Sequence, residues 1–330
     1  FKWTNLAAHN AGVTVAIVGL STDASKKRQL YDLDRDGETT VREATNITPY
    51  LTVGENVVVE GQRKSVSGLP DMSFGNMPVD GGNLLLSADD AASLGLSKQN
   101  AETFLRRIYG SAEFIRGVVR KCLWIPDEKL PQALQIASIR ARIDGVREMR
   151  LKSKDAGTNE MASRAHQFRE MYHGEKHTLI LPGVSSEGRE YLPVGLIDNH
   201  SVVSNLAFAL YDAPLWNLAL IASRLHLVWI ATVCGKLKTD FRYSNTLGWN
   251  TFPVPTLTEK NKADLTRCAE DILLAREHHF PATIADLYDP ENMPADLRAA
   301  HDRNDEVLER IYIGRRFKND TERLEKLFDL

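Results

Sequence analysis

Apolar and polar positions along this chain follow periods that predict a mixed α+β protein. A β-branched apolar run at residues 11–19 predicts a buried strand, and residues 27–33 and 39–44 alternate around Asp34-Arg-Asp-Gly37 like a β-hairpin. Glycine and proline interrupt residues 46–86, which predicts loop-rich β structure. Further on, the spacing predicts helices over residues 100–109, 134–154 and 215–233, and strands over residues 113–125, 178–182, 191–197 and 237–243.

In the last part of the chain, the spacing of apolar residues predicts only helices. Two prolines in Thr251-Phe-Pro-Val-Pro255 stiffen the backbone and mark a boundary. Beyond them, helical spacing covers residues 259–279, 294–311 and 320–328. The chain therefore divides into a mixed α/β part and a helical tail.

Charged residues occupy every second position in residues 236–242. In a strand, alternate side chains share a face, so one face would carry Lys236, Lys238, Asp240 and Arg242. A lysine beside an aspartate suits one G·C pair, because the ammonium bonds guanine O6 and N7 while the carboxylate accepts from cytosine N4. The alternative is an amphipathic strand with a solvated charged face, which the spacing alone favours.

The overall composition does not indicate a nucleic-acid partner, but the distribution of charge along the chain does. The net charge is −3, and the apolar and charged fractions of 43% and 26% are ordinary for a globular protein. Residues 98–189 carry 17 Lys/Arg against 11 Asp/Glu, whereas residues 257–330 carry 12 against 17. A basic middle and an acidic end suggest that the middle faces a polyanion.

Two further segments are candidate DNA contacts. The polar loop Val184-Ser-Ser-Glu-Gly-Arg-Glu190 offers hydroxyl, carboxylate and guanidinium groups that suit bases or phosphates, from Ser185, Ser186, Glu187 and Arg189. The basic helix at residues 140–154, with Arg147 and Arg150, suits a phosphate backbone. The alternatives are a solvated loop and a solvated helix face.

The sequence indicates no active site, disulfide framework or metal centre. The three cysteines are far apart, and no phosphate-binding glycine loop or hydrolase motif is found, although residues 32–43 fit the calcium-loop template. Strand patterns flank that template, so a plain hairpin is favoured over calcium. Residues 215–235 are apolar enough to span a bilayer but include Asn217, Arg224 and His226, which favours a buried core helix and no membrane.

An ordered series of motifs resembles one family. The chain is similar to the C-terminal part of the MmeI-like DNA adenine methyltransferases, the single-chain restriction-modification enzymes of the type IIL/IIG group. The motifs that carry this resemblance are Phe1-Lys-Trp-Thr-Asn5, Asp71-Met-Ser-Phe-Gly-Asn-Met-Pro-Val-Asp-Gly-Gly82, Gly110-Ser-Ala-Glu-Phe-Ile-Arg-Gly117, Cys122-Leu-Trp124, Val184-Ser-Ser-Glu187, Tyr191-Leu-Pro193, Ser223-Arg-Leu-His226, residues 234–244, Asn250-Thr-Phe-Pro-Val-Pro255 and Leu287-Tyr-Asp-Pro290.

The resemblance implies a domain architecture and separates target recognition from methyl transfer. Residues 1–50 would be the end of a methyltransferase catalytic domain, residues 51–250 a target-recognition domain and residues 251–330 a helical C-terminal domain. Neither the family's S-adenosylmethionine motif nor its Asn-Pro-Pro-Tyr motif occurs in this sequence. The resemblance therefore implies specificity rather than chemistry for this chain, with S-adenosylmethionine bound elsewhere in an intact protein. The positions matching Lys238 and Asp240 read one base pair in the family.

We therefore expect a double-stranded DNA recognition module of a larger N6-adenine methyltransferase, working beside a catalytic domain in a bacterial or archaeal cytoplasm. The cofactor would belong to that domain and none to this fragment. Two other classes remain open. One is a protein-interaction module with no DNA role, whose acidic helical tail docks a partner. The other is a self-contained enzyme, which the absent catalytic motifs oppose.

Overall fold

The computed structural model describes residues 2–3, 13–23, 25–33 and 39–330. Its strands are short and spread along the chain. They are β1 (Lys2–Trp3), β2 (Val13–Thr14), β3 (Arg28–Leu33), β4 (Thr39–Ala44), β5 (Ser73–Phe74), β6 (Leu85–Leu86), β7 (Leu105–Tyr109), β8 (Lys121–Leu123), β9 (His177–Pro182), β10 (Val184–Ser185), β11 (Gly195–Asp198), β12 (Ser201–Val203), β13 (Ala207–Tyr211), β14 (Lys236–Leu237) and β15 (Asp240–Arg242).

Helices separate these strands and make up the C-terminal part. They are α1 (Ala88–Ser93), α2 (Lys98–Phe104), α3 (Ser111–Arg116), α4 (Leu130–Leu134), α5 (Ala137–Leu151), α6 (Ala156–Glu160), α7 (Trp216–Ile221), α8 (Arg224–Val233), α9 (Glu259–His278), α10 (Ile284–Leu287), α11 (Ala295–Ile313) and α12 (Asp320–Phe328). Short 3-10 turns lie at Asp127–Lys129 and Met161–Arg164, and a π-helical turn lies at Asn245–Trp249. Long helices beside several small sheets confirm the α+β class.

Besides the two-stranded sheets β1–β2 and β3–β4, three small sheets form the mixed part. One is antiparallel, in the order β11-β9-β13-β5, and a second has the order β12-β7-β8-β6 with β12 and β7 parallel. The third joins β10, β15 and β14, all antiparallel. Because β9 leads through Gly183 into β10, the first and third sheets are joined by a continuous chain.

Two main apolar cores and one small apolar cluster lie in the mixed part. The smaller core lies between the β12-β7-β8-β6 sheet and the helix α5, which contributes Ile139, Ile143 and Val146. The larger core gathers one face of β9 and β13, both α7 and α8, and the C-terminal helices. Leu265 and Ile272 of α9 are fully buried in that same core. The C-terminal helices thus pack directly onto the mixed part and share its core.

Several predicted elements are confirmed, and others are divided. The hairpin β3–β4 and the C-terminal helices form where the spacing predicts them. The residues between β3 and β4 that carry the calcium template, at positions 34–38, lie outside the described residues. The predicted helix at residues 100–109 becomes α2 followed by β7, and the predicted strand at 113–125 becomes α3 followed by β8. The predicted strand at 191–197 begins only at Gly195.

The apolar run at residues 215–233 forms two helices rather than one. Ser223 interrupts it, because its hydroxyl accepts a hydrogen bond from the His226 amide and so begins α8. Both helices are buried, and within the described residues no helix has the length and apolar content that a bilayer crossing requires.

The first predicted strand is wrong over most of its length. Residues 15–20 have no regular structure, and Ile17 and Val18 are exposed, while residues 11 and 12 lie outside the described residues. An apolar run becomes a buried strand only when another surface covers it, and none of the described elements does so here.

Candidate nucleic-acid interface

The charged segment at residues 236–242 is a β-hairpin. The predicted single strand is wrong, because Lys236 pairs with Phe241 and Leu237 pairs with Asp240 across a two-residue turn. Lys238 occupies the first turn position with φ of 58°, a left-handed conformation that a residue with a Cβ rarely adopts. The four charged residues therefore do not share one face. Asp240 and Arg242 share a face, while Lys236 points to the other side and Lys238 projects from the tip.

The polar loop after β10 lies beside this hairpin. Val184 pairs with Arg242, and Ser185 pairs with Phe241, so β10 adds a third strand to the hairpin. We call this three-stranded unit, with the loop of residues 186–190 that follows β10, the recognition unit. Two segments that lie far apart in the sequence thus present their polar groups together.

Contacts within the recognition unit hold two of the predicted DNA-contact residues in place. The Lys236 ammonium lies 3.7 Å from a Glu187 carboxylate oxygen and 5.6 Å from the centre of the Phe241 ring. Arg189 donates to the Ser185 hydroxyl at 3.2 Å. Partial burial lowers the pKa of Arg189, and the neighbouring Asp240 carboxylate opposes that shift. Lys236 and Arg189 are therefore held by groups of the protein itself.

The predicted contact residues differ in how accessible they are. Ser185 is buried, so its hydroxyl serves Arg189 rather than solvent. Ser186 is exposed, and its hydroxyl accepts from the Gly188 amide. Lys238 and Arg242 are exposed, and neither side chain has an ion-pair partner among the described residues. The free polar groups of the recognition unit are thus concentrated on the hairpin.

Helix α8 packs against the recognition unit and is hydrogen-bonded to it. Tyr243, the residue after β15, is buried and hydrogen-bonded to Nε2 of His226 at 3.0 Å. Arg224, in the first turn of the same helix, forms a two-pronged ion pair with Asp320 of α12. These contacts give a structural reason for Ser223-Arg-Leu-His226, which stood out in the sequence. A cleft of about 190 Å³ lies between this helix and the unit, lined by Glu187, Arg189, Arg224, Leu227, Val228, Ala231, Thr232, Phe241 and Asp320.

The two arginines predicted on the basic helix have different environments. Arg147 is half-exposed and pairs with Asp144 one turn away at 2.6 Å. Arg150 is fully buried, and burial lowers its pKa to about 10. Its guanidinium donates to five backbone carbonyls, those of Pro78, Val79, Met161, Arg164 and Gln167, at 2.7–3.1 Å. The phosphate contact predicted for Arg150 is therefore replaced by a structural role.

Comparison with known proteins identifies the family. Residues 53–256 match the family model of the MmeI target recognition domain, and residues 257–330 match that of the MmeI C-terminal domain. Together these matches cover most of the chain, and the chain belongs to the MmeI family.

Two relatives extend over the whole chain. DNA methyltransferase A of Bacillus subtilis (strain 168) is 38% identical over 330 residues, which are 100% of this chain and 37% of the relative. The type IIL restriction-modification enzyme MmeI, whose structure was determined in complex with DNA, is 30% identical with a TM-score of 0.82. That match covers 100% of this chain and 44% of MmeI. The chain thus spans less than half the length of each relative.

Proposed function

We propose that this chain recognises a specific sequence in double-stranded DNA. On this proposal it serves an S-adenosylmethionine-dependent DNA adenine-N6 methyltransferase of the restriction-modification type. The observation that carries the proposal is the recognition unit. In a chain of the MmeI family, two distant polar segments converge in one sheet. The tip of that sheet carries Lys238, which has no ion-pair partner among the described residues, and Asp240 follows two positions later.

The hairpin geometry suits the major groove. That groove accommodates a two-stranded β-ribbon, and the edge of a G·C pair offers acceptors on guanine and a donor on cytosine. We propose that Lys238 bonds guanine, Asp240 accepts from cytosine, and Arg242 contacts DNA from the face that it shares with Asp240. Glu187 and Arg189 would hold the hairpin in place, and Ser186 would contact the duplex from the adjoining loop.

On this proposal, no step of methyl transfer is carried out by the residues of this chain. S-adenosylmethionine and the methyl transfer would belong to a catalytic domain of the intact enzyme, and residues 1–50 would be the end of that domain. The exposed apolar residues Ile17 and Val18 support a contact with the rest of that domain. The work of this chain would be to place a target adenine by binding the surrounding sequence, inside the cytoplasm of a bacterial or archaeal cell.

Selection from a randomised duplex pool tests the proposal. The purified chain is incubated with the pool at low salt, and the retained duplexes are sequenced. We expect one motif to be enriched, with an affinity that falls as salt is raised, because each phosphate contact releases counterions. A pool that stays random after repeated rounds would refute sequence recognition, and binding to a protein partner that salt leaves unchanged would favour the interaction-module alternative.

A further inference from the structure

A basic segment that the sequence patterns did not single out lies next to the recognition unit. Residues 61–64, Gly-Gln-Arg-Lys, are all exposed and run alongside residues 246–250. The Gln62 amide donates to the Thr246 carbonyl at 3.0 Å, and the Asn250 side chain donates to the Gln62 carbonyl at 2.8 Å. Four residues after Gln62, the Val66 amide donates to the Asn250 carbonyl at 2.8 Å. We call residues 61–64 the basic strap.

The strap is fixed relative to the hairpin. Thr246 lies four residues after Arg242, and its hydroxyl is 3.0 Å from that of Ser244. In the same turn, the Asn245 side chain donates to the Met72 carbonyl at 2.8 Å, which ties the turn to the edge of the antiparallel sheet. Because hydrogen bonds hold the strap backbone at Gln62, a ligand contact beside it costs mainly side-chain entropy.

The cations of the strap have no partners among the described residues. Arg63 and Lys64 make no ion pair or side-chain hydrogen bond there, in contrast to Arg147 and Lys236, which each pair with a carboxylate. Glu60 is the nearest acid in sequence, and it leaves the strap with a net positive charge. Two adjacent unpaired cations on a fixed backbone suit a row of phosphates, which are spaced along a strand and present charge without sequence.

We infer that the basic strap binds the phosphate backbone of the duplex beside the base pairs that the hairpin contacts. This inference rests on the proposed function and adds the site that sets the register of the hairpin on DNA. Arg63 and Lys64 neutralise about one phosphate each, which fixes position and carries no sequence preference. Base readout stays with the hairpin, so the two elements divide affinity and specificity between them.

The double variant Arg63→Ala/Lys64→Ala tests this division. Affinity for the selected duplex is measured from 50 to 200 mM salt, and the enriched motif is determined again. Loss of two phosphate contacts lowers the slope of log affinity against log salt by about 1.8, so wild type loses about 12-fold more affinity than the variant across that range. The motif and the melting temperature stay unchanged, because Arg63 and Lys64 are exposed and make no ion pair or side-chain hydrogen bond with any residue that the structure describes.

Two matched variants complete the experiment. Arg303→Ala/Arg310→Ala removes two exposed cations from α11 of the helical tail and leaves the slope unchanged. Arg63→Lys/Lys64→Arg preserves the charge and retains the wild-type slope. An unchanged slope or a changed motif in Arg63→Ala/Lys64→Ala overturns the strap assignment alone. A wild-type chain that binds no duplex overturns the proposed function, and the strap assignment with it.

Discussion

Ser185 lies opposite Phe241 in adjacent antiparallel strands. This pairing joins the polar loop to the charged hairpin, and the Lys236–Glu187 ion pair adds a second link between them. The loop and the hairpin therefore form one unit. Substitutions in the loop are expected to change the orientation of the hairpin as well as the local surface.

Exchanging the charges of the proposed base-reading pair should change the recognised sequence. In Lys238→Glu/Asp240→Arg, the acceptor and the donor trade places, so one position of the motif should change from G·C to C·G. Each wrong base pair should cost about 1–3 kcal/mol. Sequencing duplexes selected by the variant measures the change.

Thr239→Ala is the matched control for that exchange, because Thr239 is the other turn residue and is exposed. It should keep the wild-type motif. An unaltered motif in the double variant would show that Lys238 and Asp240 do not read this base pair.

Replacing Lys238 by glycine should separate backbone strain from DNA contact. The left-handed φ of 58° is unstrained for glycine, so Lys238→Gly should raise the free energy of unfolding by up to ~1 kcal/mol. Affinity for the selected duplex should fall, because the ammonium is lost. Urea denaturation and fluorescence anisotropy measure the two effects. Lys238→Ala should lose the same affinity without the gain in stability, and equal stability of the two variants would argue against strain at this position.

The two helix arginines should give opposite results when each is replaced. Arg150→Met leaves five backbone carbonyls without their donor and should lower the free energy of unfolding by ~3 kcal/mol or more. Arg147→Ala removes an exposed pair and should cost less than ~1 kcal/mol.

Salt titration of duplex binding completes the comparison of these variants. The Arg147 variant should bind with a smaller salt slope, as a phosphate contact at this position requires. A stable Arg150→Met protein would contradict the structural role given to that residue.

Buried histidines should make the protein sensitive to acid. Burial lowers the pKa of His226 and of His301 to about 3. The unfolded chain takes up these protons near pH 6.5 and the folded chain does not, so stability falls as pH drops from about 6.5 towards 3. Each group contributes a slope of ~1.4 kcal/mol per pH unit.

Asp305 should act in the opposite direction. Burial raises its pKa to about 7, so the folded chain keeps a proton that the unfolded chain releases near 3.8, and the stabilisation is lost as pH rises through that window. Asp305→Asn removes this contribution to the pH dependence, so the free energy of unfolding should rise more steeply with pH between about 4.5 and 6.5. Urea denaturation across this range measures the slope. Asp271→Asn, at an exposed position on α9, should retain the wild-type slope.

Much of the architecture can be predicted from local patterns in the sequence. Helical spacing in the tail predicts α9, α11 and α12 nearly residue by residue, since apolar residues on one stripe specify a helix whatever it packs against. The motif series identifies the family for a similar reason, because it depends on residue identity and order alone. At residues 236–242 the alternating charges fit both a single strand and a hairpin, and the predicted single strand is wrong.

The sequence by itself determined the α+β class, the helical tail, the family and the residue types available for recognition. Tertiary structure decided how those residues are used. Alternating charges fit one strand as well as two arms of a hairpin, and the pairing of β15 with β10 and β14 decides between them. Arg150 resembles a surface cation in sequence, but carbonyls from separate segments enclose it. Hydrogen bonds to residues 246–250 place the basic strap next to the hairpin, and no local pattern in the sequence predicts them.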